Sequence, residues 1–187
     1  MGPMRRYVIP GIAFVLAVAL LALLAFGVNS QGENTSLDSQ LAHGVRPSPP
    51  NYSTALPVLG SPGRESLRAL RGKVVVLNFF ASWCGPCVAE APVLEHVQHV
   101  LRRHDGTVLG VTYQDNTDDS EAFVHQHHIT YPVVRDVTST FVHSYGSVGI
   151  PETFVIDRRG RVAAIEREPV TSAWLAHVLP RILRERS

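Results

Sequence analysis

The order of apolar and polar positions along the chain predicts alternating strands and helices in its larger part. A continuous, valine-rich apolar run at 73–80 is typical of a strand that is buried on both faces. Residues 86–104 then place apolar side chains at nearly helical spacing, and 107–113 forms a second apolar run. Because two consecutive strands joined by a helix pair in parallel, these segments are predicted to form a βαβ unit.

The remaining pattern predicts a helix, a short strand, an antiparallel hairpin and a closing helix. Capping-type residues begin a helix at 118–128, and a short strand at 131–136 precedes a brief helical stretch. Two strands within 153–166, separated by a turn that contains glycine, predict the hairpin. The last stretch, 171–186, predicts a helix that Pro180 kinks or breaks. The predicted fold class is therefore α/β, with a mixed central sheet and helices on both faces.

The N-terminal pattern differs, because residues 8–28 are apolar and carry no charge. At about 1.5 Å per residue, a helix of this length spans about 30 Å, which matches the core of a bilayer. Arg5 and Arg6 precede the segment, so the positive-inside bias predicts a cytoplasmic stub at 1–7. We predict a transmembrane signal-anchor helix at 8–28, with the rest of the chain outside the cytoplasm. A cleaved signal peptide is the alternative.

Composition divides the rest of the chain into a linker and one domain. Residues 29–49 are rich in Ser, Gln, Asn, Gly and Pro and lack apolar periodicity, so a flexible linker is predicted there. The globular domain is predicted at 50–187. The chain has 17 Lys and Arg against 16 Asp and Glu, a formal net charge of +1. This balance gives no indication of nucleic-acid binding.

The chain has two cysteines, Cys84 and Cys87, placed where the first strand passes into its helix. Unpaired N–H groups and the positive end of the helix dipole favour the thiolate at Cys84. Cys87 lies one turn deeper, so an exposed attacking thiol and a shielded resolving thiol are predicted. A structural disulfide across so short a loop would stabilise little, and zinc usually needs four ligands. Export to an oxidising compartment also favours the redox interpretation.

The residues around the cysteines carry a resemblance. The sequence WCGPC at 83–87 is that of the thioredoxin active site. The chain further resembles the membrane-tethered, TlpA-like reductases of cytochrome c maturation, the family called CcmG, DsbE or ResA. Asn78, Glu90, the segment 109–136 and the segment 145–162 carry this likeness. It covers about residues 50 to 187 and implies a thioredoxin-like fold with a central strand-helix insert.

The resemblance also implies roles for individual residues. Cys84 and Cys87 would be catalytic, with Glu90 as an acid that opposes thiolate formation and assists proton transfer. Pro151 occupies the family's cis-proline position, which would present a neighbouring backbone group to an extended substrate. Asn78 would fill a buried polar position or tune the site. The substrate-binding candidates are Trp83, Gly85, Pro86, Ile150 and Glu152.

The chain departs from the family pattern at 167–171. The sequence REPVT stands there in place of a more usual GPLT, and Glu168 occupies a position where glycine is expected. This departure affects the expected recognition of substrate more than the expected fold.

The predicted function is that of an extracytoplasmic thiol-disulfide oxidoreductase that reduces disulfides, with the CxxCH pair of apocytochrome c as the expected target. This chemistry requires no cofactor and no metal. The expected electron donor is a transmembrane protein of the CcdA or DsbD type. The chain is expected in the cell membrane as a single-pass protein, with its domain on the periplasmic or extracytoplasmic side. One alternative is an exported, disulfide-forming oxidase. The other is a copper metallochaperone or binding module that uses the cysteines and nearby histidines. These histidines are His96, His99, His125, His127 and His128.

Overall fold

The computed structural model describes residues 16–18, 20 and 36–185. The chain divides into two units, Met1–Glu33 and Asn34–Ser187, and the second contains the folded domain. The predicted stub and most of the predicted anchor lie outside the described residues. Within the part of the chain that is described, no helix is both long enough and apolar enough to cross a membrane.

The described part of the second unit contains five helices and seven strands. In chain order they are α1 (Ser36–Ala42), β1 (Leu56–Pro57), β2 (Arg64–Glu65), β3 (Val74–Phe80), α2 (Gly85–Arg102), β4 (Gly106–Tyr113), α3 (Thr117–Gln126), β5 (Val133–Asp136), α4 (Thr140–Ser144), β6 (Glu152–Ile156), β7 (Val162–Glu166) and α5 (Ser172–Arg184).

Five strands form the central sheet in the order β5-β4-β3-β6-β7. β3, β4 and β5 are parallel, whereas β6 and β7 are antiparallel to their neighbours. At the centre, Val76 pairs with Val108 on one side and with Val155 on the other. The sheet is therefore mixed, as predicted. β1 and β2 form a separate two-stranded ribbon, which a bridge between Val58 and Val134 joins to the edge of the sheet.

Side-chain alternation along β3 supplies two hydrophobic cores, one on each face of the sheet. Val74 and Val76 pack in a core with α2, α3 and α5. Val75, Leu77 and Phe79 pack in a second core with α1 and α4. Because successive side chains of a strand point to opposite faces, one buried strand builds both cores. Helices therefore cover both faces of the sheet, as predicted.

The closing helix continues through its proline. Pro180 lies inside α5, which runs unbroken to Arg184. A proline removes one backbone hydrogen bond, but Leu175, Leu179 and Ile182 anchor the helix in the first core. Of the predicted kink or break at Pro180, the break is therefore wrong, because tertiary packing outweighs the local loss.

The structure differs from the flexible linker predicted at 29–49, in the part of that segment that is described. α1 forms there and buries Leu37, which is 5% exposed, in the second core. Arg46 forms an ion pair with Asp157 at 2.9 Å. The prediction rests on polar composition. Composition carries no information about contacts between Leu37 or Arg46 and residues far along the chain. The ordered domain therefore begins before residue 50.

Candidate active site

The turn between β3 and α2 places the first cysteine at the end of a helix. Cys84 is the N-cap of the 18-residue helix α2, with an extended backbone (φ −88°, ψ 105°). Its sulfur accepts a hydrogen bond from the Cys87 N–H at 3.2 Å. Pro86 occupies the first turn, where a missing N–H group leaves no bond unmade. Cys84 therefore lies at the positive end of the helix dipole, as predicted.

Cys84 and Cys87 are joined by a disulfide, which is the oxidised state of the pair. Cys84 is 5% exposed and Cys87 is 2% exposed. The expected contrast between an exposed and a shielded sulfur is therefore small in this state. The exposed residues Gly85 and Pro86 lie between them on the surface of the first helical turn.

The predicted cis-proline segment lies beside the cysteines. The Ile150–Pro151 peptide bond is cis, and β6 begins directly after it. The carbonyl oxygen of Ile150 lies 3.9 Å from the Cys84 Sγ atom. An extended peptide that paired with this backbone would bring its own sulfur atoms close to Cys84.

Trp83 is held in place by the residues directly after β4. Its indole Nε1 donates a hydrogen bond to the Gln114 carbonyl at 3.1 Å, yet the residue remains 59% exposed. The adjacent Asp115 accepts hydrogen bonds from the Ser82 N–H and hydroxyl, both at 2.8 Å. The ring is therefore oriented by one polar contact, while a large apolar surface is available to a partner.

Glu90 is a buried acid one helical turn after Cys87. It is 2% exposed, and its carboxylate accepts hydrogen bonds from the Val170 N–H at 2.8 Å and from the Asn78 amide at 2.7 Å. Burial raises the pKa of Glu90 to about 7, and the hydrogen bonds from Val170 and Asn78 oppose this rise. Glu90 therefore changes its charge near neutral pH, on nearly the same face of α2 as Cys87.

Asn78 joins three elements behind the disulfide. It is 1% exposed in β3, and its amide donates to the Thr153 hydroxyl of β6 at 3.1 Å as well as to Glu90 of α2. The residue fills a buried polar position and contacts the titrating acid directly. Asn78 can therefore both fill a buried polar position and influence the pKa of Glu90, so its two expected roles are compatible.

The side chain of Glu152 is buried. The residue is 3% exposed, and its carboxylate accepts hydrogen bonds from the Ser147 hydroxyl and from the Arg167 guanidinium. Arg167 also contacts Asp38 of α1 at 2.6 Å. Glu152 was expected among the substrate-binding residues, but its burial places it to support the cis-proline segment, not to face a substrate.

Sequence reasoning did not single out Arg167, Val170 or Thr153. Each acts through a contact between segments that lie far apart along the chain, so no local pattern marks it. The departure from the family pattern at 167–171 is the one signal in the sequence that points toward two of them.

The histidines do not gather into a metal site within the described residues. No group of three or more His, Cys, Asp or Glu side chains is placed there to hold a metal ion. His127 instead packs on Phe123, with ring centroids 4.5 Å apart, and His99 lies 3.3 Å from Glu95.

The sequence model of the AhpC/TSA family matches residues 56–165, more than half of the chain. The chain belongs to the AhpC/TSA family. This agrees with the mixed sheet and with the cysteine pair at the start of α2, and it gives the frame for comparison with individual relatives.

Three individual proteins are similar to the chain. The thiol-disulfide oxidoreductase ResA of Geobacillus thermodenitrificans is 34% identical over 104 residues, which cover 55% of this chain but only 60% of that protein. The thiol:disulfide interchange protein DsbE of Xylella fastidiosa is 32% identical over 168 residues, 89% of this chain and 81% of the relative. The crystal structure of a secreted thiol-disulfide isomerase from Corynebacterium glutamicum has a TM-score of 0.67 and 29% identity, covering 75% of this chain and 86% of that one. The resemblance to the DsbE and ResA proteins and the thioredoxin-like fold are confirmed.

Proposed function

We propose that the chain is a thiol-disulfide oxidoreductase that reduces disulfide bonds outside the cytoplasm. The observation that carries this proposal is the buried Glu90, whose pKa lies at about 7, one helical turn from Cys87. The position of Ile150 beside Cys84 supports it, because it supplies backbone against which a protein substrate can align. The similarity to thiol-disulfide oxidoreductases supports the reaction class.

The reaction begins with both cysteines reduced. The Cys84 thiolate attacks one sulfur of the substrate disulfide, forms a mixed disulfide and releases the other substrate sulfur as a thiolate. The Cys87 thiolate then attacks the Cys84 sulfur, closes the Cys84–Cys87 disulfide and releases the second substrate sulfur. The substrate gains two electrons and takes up two protons, and the cysteine pair loses two electrons and two protons.

Glu90 is placed to exchange a proton with the Cys87 thiol. An acid with a pKa of about 7 can accept a proton from the Cys87 thiol or return one to a leaving thiolate. When Glu90 is ionised, its negative charge repels a thiolate one turn away and so disfavours the ionised, reduced form of Cys87. Stabilisation of the reduced form makes a dithiol a strong oxidant, so the opposite effect favours a reductant. Glu90 therefore supports the reducing direction.

The proposed substrate is an extended polypeptide that carries a disulfide. The backbone at Ile150 would pair with it as an added strand, and the exposed Trp83 would pack against its side chains. The CxxCH pair of apocytochrome c is the expected target, on the strength of the resemblance to the cytochrome c maturation reductases. Its reduction would free both thiols for attachment of haem.

The proposed location is the cell membrane, with 8–28 as a single-pass anchor and the domain on the extracytoplasmic side. Each turnover leaves Cys84 and Cys87 oxidised, so a thiol donor must reduce them again. A transmembrane electron carrier of the CcdA or DsbD type would bring these electrons from the cytoplasm.

The reduction potential of the Cys84–Cys87 pair tests the direction of the reaction. The full chain in detergent is equilibrated against glutathione buffers, and the reduced fraction is measured by thiol labelling. A potential of about −270 mV, the thioredoxin end of the known range, is expected. A potential of about −120 mV would favour the exported oxidase. In that case the stabilisation of the Cys84 thiolate by the helix N-terminus outweighs the repulsion from Glu90.

A trapping experiment tests the roles of the two sulfurs. With a synthetic CxxCH peptide in its disulfide form, Cys87→Ser should accumulate a mixed disulfide, because the resolving thiol is absent. Cys84→Ser should accumulate little. The reverse pattern would overturn the assignment of Cys84 as the attacking thiol. Stoichiometric copper uptake by the reduced chain would instead favour the metallochaperone.

A further inference from the structure

Arg167 lies where two antiparallel strands bring it next to the cis-proline segment. The register of β6 and β7 pairs Thr153 with Glu166, so Arg167 follows directly beside Glu152. Its guanidinium contacts the Glu152 carboxylate through Nη1 and the Asp38 carboxylate through Nη2, and it lies 5.2 Å from the centre of the Phe154 ring. One side chain thus joins α1, β6 and the end of β7.

The carboxylate that Arg167 contacts also closes the loop that carries the cis bond. The Ser147 hydroxyl donates to Glu152, so both ends of the stretch 147–152 meet at one carboxylate. Ile150 and Pro151 lie inside this stretch, and Ile150 is the residue whose carbonyl oxygen approaches Cys84. The carbonyl of Ile150 therefore lies in a loop whose two ends share the carboxylate that Arg167 contacts.

The same short segment reaches the buried acid at its other end. Val170, three residues after Arg167, is 2% exposed and donates its N–H to Glu90 at 2.8 Å. Pro169 precedes Val170 and restricts the backbone between the two contacts. The residues 167–170 therefore link the support of the cis-proline segment to the hydrogen bond on Glu90.

From these contacts we infer that Arg167 is a positioning residue for the active site. Through Glu152 it holds the Ile150–Pro151 segment beside Cys84, and through the backbone to Val170 it holds a hydrogen-bond donor on Glu90. This inference rests on the proposed function and adds to it a residue that touches neither substrate nor sulfur.

The first experiment separates binding of a protein substrate from reactivity of the cysteines. The reduced full chain and its Arg167→Gln variant are assayed with the disulfide form of a synthetic CxxCH peptide and with the small aromatic disulfide DTNB. The Michaelis constant for the peptide should rise about tenfold, because a misplaced backbone aligns the peptide poorly. The rate with DTNB needs no strand pairing. Measured at a pH above the Glu90 inflection of both chains, where a shift of that inflection has no further effect, it should change less than about twofold. Arg71→Gln, an exposed arginine before β3, is the matched control and should behave as the unaltered chain.

The second experiment tests the hydrogen bond between the Val170 N–H and Glu90. The rate of Cys84 alkylation by iodoacetamide is measured across pH, and Glu90→Gln identifies the inflection that belongs to Glu90. Loss of the Val170 hydrogen bond removes a contact that stabilises the ionised carboxylate. The inflection should therefore move to higher pH in Arg167→Gln and stay in place in Arg71→Gln.

The outcomes separate a positioning role from a purely structural one. An Arg167→Gln chain that melts at a lower temperature but keeps both the peptide Michaelis constant and the alkylation profile would overturn the inference. If Arg167→Gln does not fold, Arg167→Lys replaces it, since lysine keeps the charge and loses the forked contact. Unchanged values in that variant would overturn the inference equally.

Failure of the proposed function would look different. It would appear as a lack of peptide reduction by the unaltered chain. The alkylation profile needs no substrate, so it would still decide whether Arg167 acts on Glu90.

Discussion

Two buried glutamates lie near the disulfide, and different kinds of hydrogen-bond donor face their carboxylates. Glu90 is 2% exposed and contacts neutral donors, the Asn78 amide and the Val170 N–H. Glu152 is 3% exposed and contacts the guanidinium of Arg167. The two environments are similar in burial and differ in the charge of the donor.

This difference assigns the two acids different tasks. Neutral donors replace only part of the water that an ionised carboxylate loses on burial, so the pKa of Glu90 rises to about 7. In the proposed reaction Glu90 can therefore take up and release a proton. At Glu152 the guanidinium of Arg167 lies against the carboxylate, an arrangement that suits a fixed support of the cis-proline segment. The nature of the donor, more than the burial, separates the two roles.

The largest loss of stability is expected when the guanidinium of Arg167 is removed from Glu152. Arg167→Leu removes the guanidinium from the buried Glu152 carboxylate, and the free energy of unfolding at neutral pH should fall by about 4 kcal/mol. Urea denaturation of the full chain measures this change. Arg71→Leu, on an exposed arginine, should change stability by less than about 0.5 kcal/mol. Similar losses in both variants would remove the contrast between Glu152 and Glu90.

The next effect comes from the titration of Glu90. Its pKa in the folded chain lies above the ordinary value of 4.5, so the folded state binds this proton more tightly than the unfolded state. The resulting stability is fully present below about pH 4.5 and is lost as pH rises through about 7, by about 3 kcal/mol. Glu90→Gln cannot titrate and should lack this loss. Urea unfolding from about pH 5 to about pH 8 compares the two chains, and parallel curves would contradict the assignment.

A smaller effect is expected from one neutral donor. Asn78→Leu removes the amide that contacts Glu90, so the pKa of Glu90 should rise further. The variant should lose about 2 kcal/mol of stability when Glu90 is ionised and less when it is protonated. Carbon NMR of the labelled glutamate carboxyl groups follows the pKa, and urea unfolding follows the stability. A lowered pKa would show that Asn78 does not stabilise the ionised form.

The smallest effect concerns the outer partner of Arg167. The side chain of Asp38 is 34% exposed, and a partly exposed ion pair contributes less than about 1 kcal/mol. Asp38→Asn should therefore change stability by less than that amount, and added salt should reduce the difference further. A loss as large as that of Arg167→Leu would show that Arg167 mainly fastens α1 and that Glu152 depends on it little.

Much of the domain could be predicted because its signals are local. The apolar run of β3, the spacing of α2 and the turn of the β6–β7 hairpin each lie within a few residues, and all three elements form as predicted. The placement of Cys84 at a helix N-cap follows from the same short stretch. The family motif predicted the cis bond at Pro151 in the same way.

Other features could not be predicted because their signals are distributed along the chain. Leu37 and Arg46 lie in a polar, proline-containing segment, and their partners come from the sheet and from the hairpin turn. Glu152 stands next to a motif residue, so its sequence position indicates exposure to substrate as readily as burial. Its pairing with Arg167 decides between the two.

The sequence by itself determined that two sulfurs lie one helical turn apart at the start of a helix, because Cys84 caps α2 and Cys87 lies in its first turn. Only the tertiary structure decided which acid carries a proton and which is balanced by a cation. Val170 reaches Glu90 from 80 positions along the chain, and Arg167 reaches Glu152 across a strand ladder. Charges and dipoles act over distance in space, so their effect is defined only once the chain has folded.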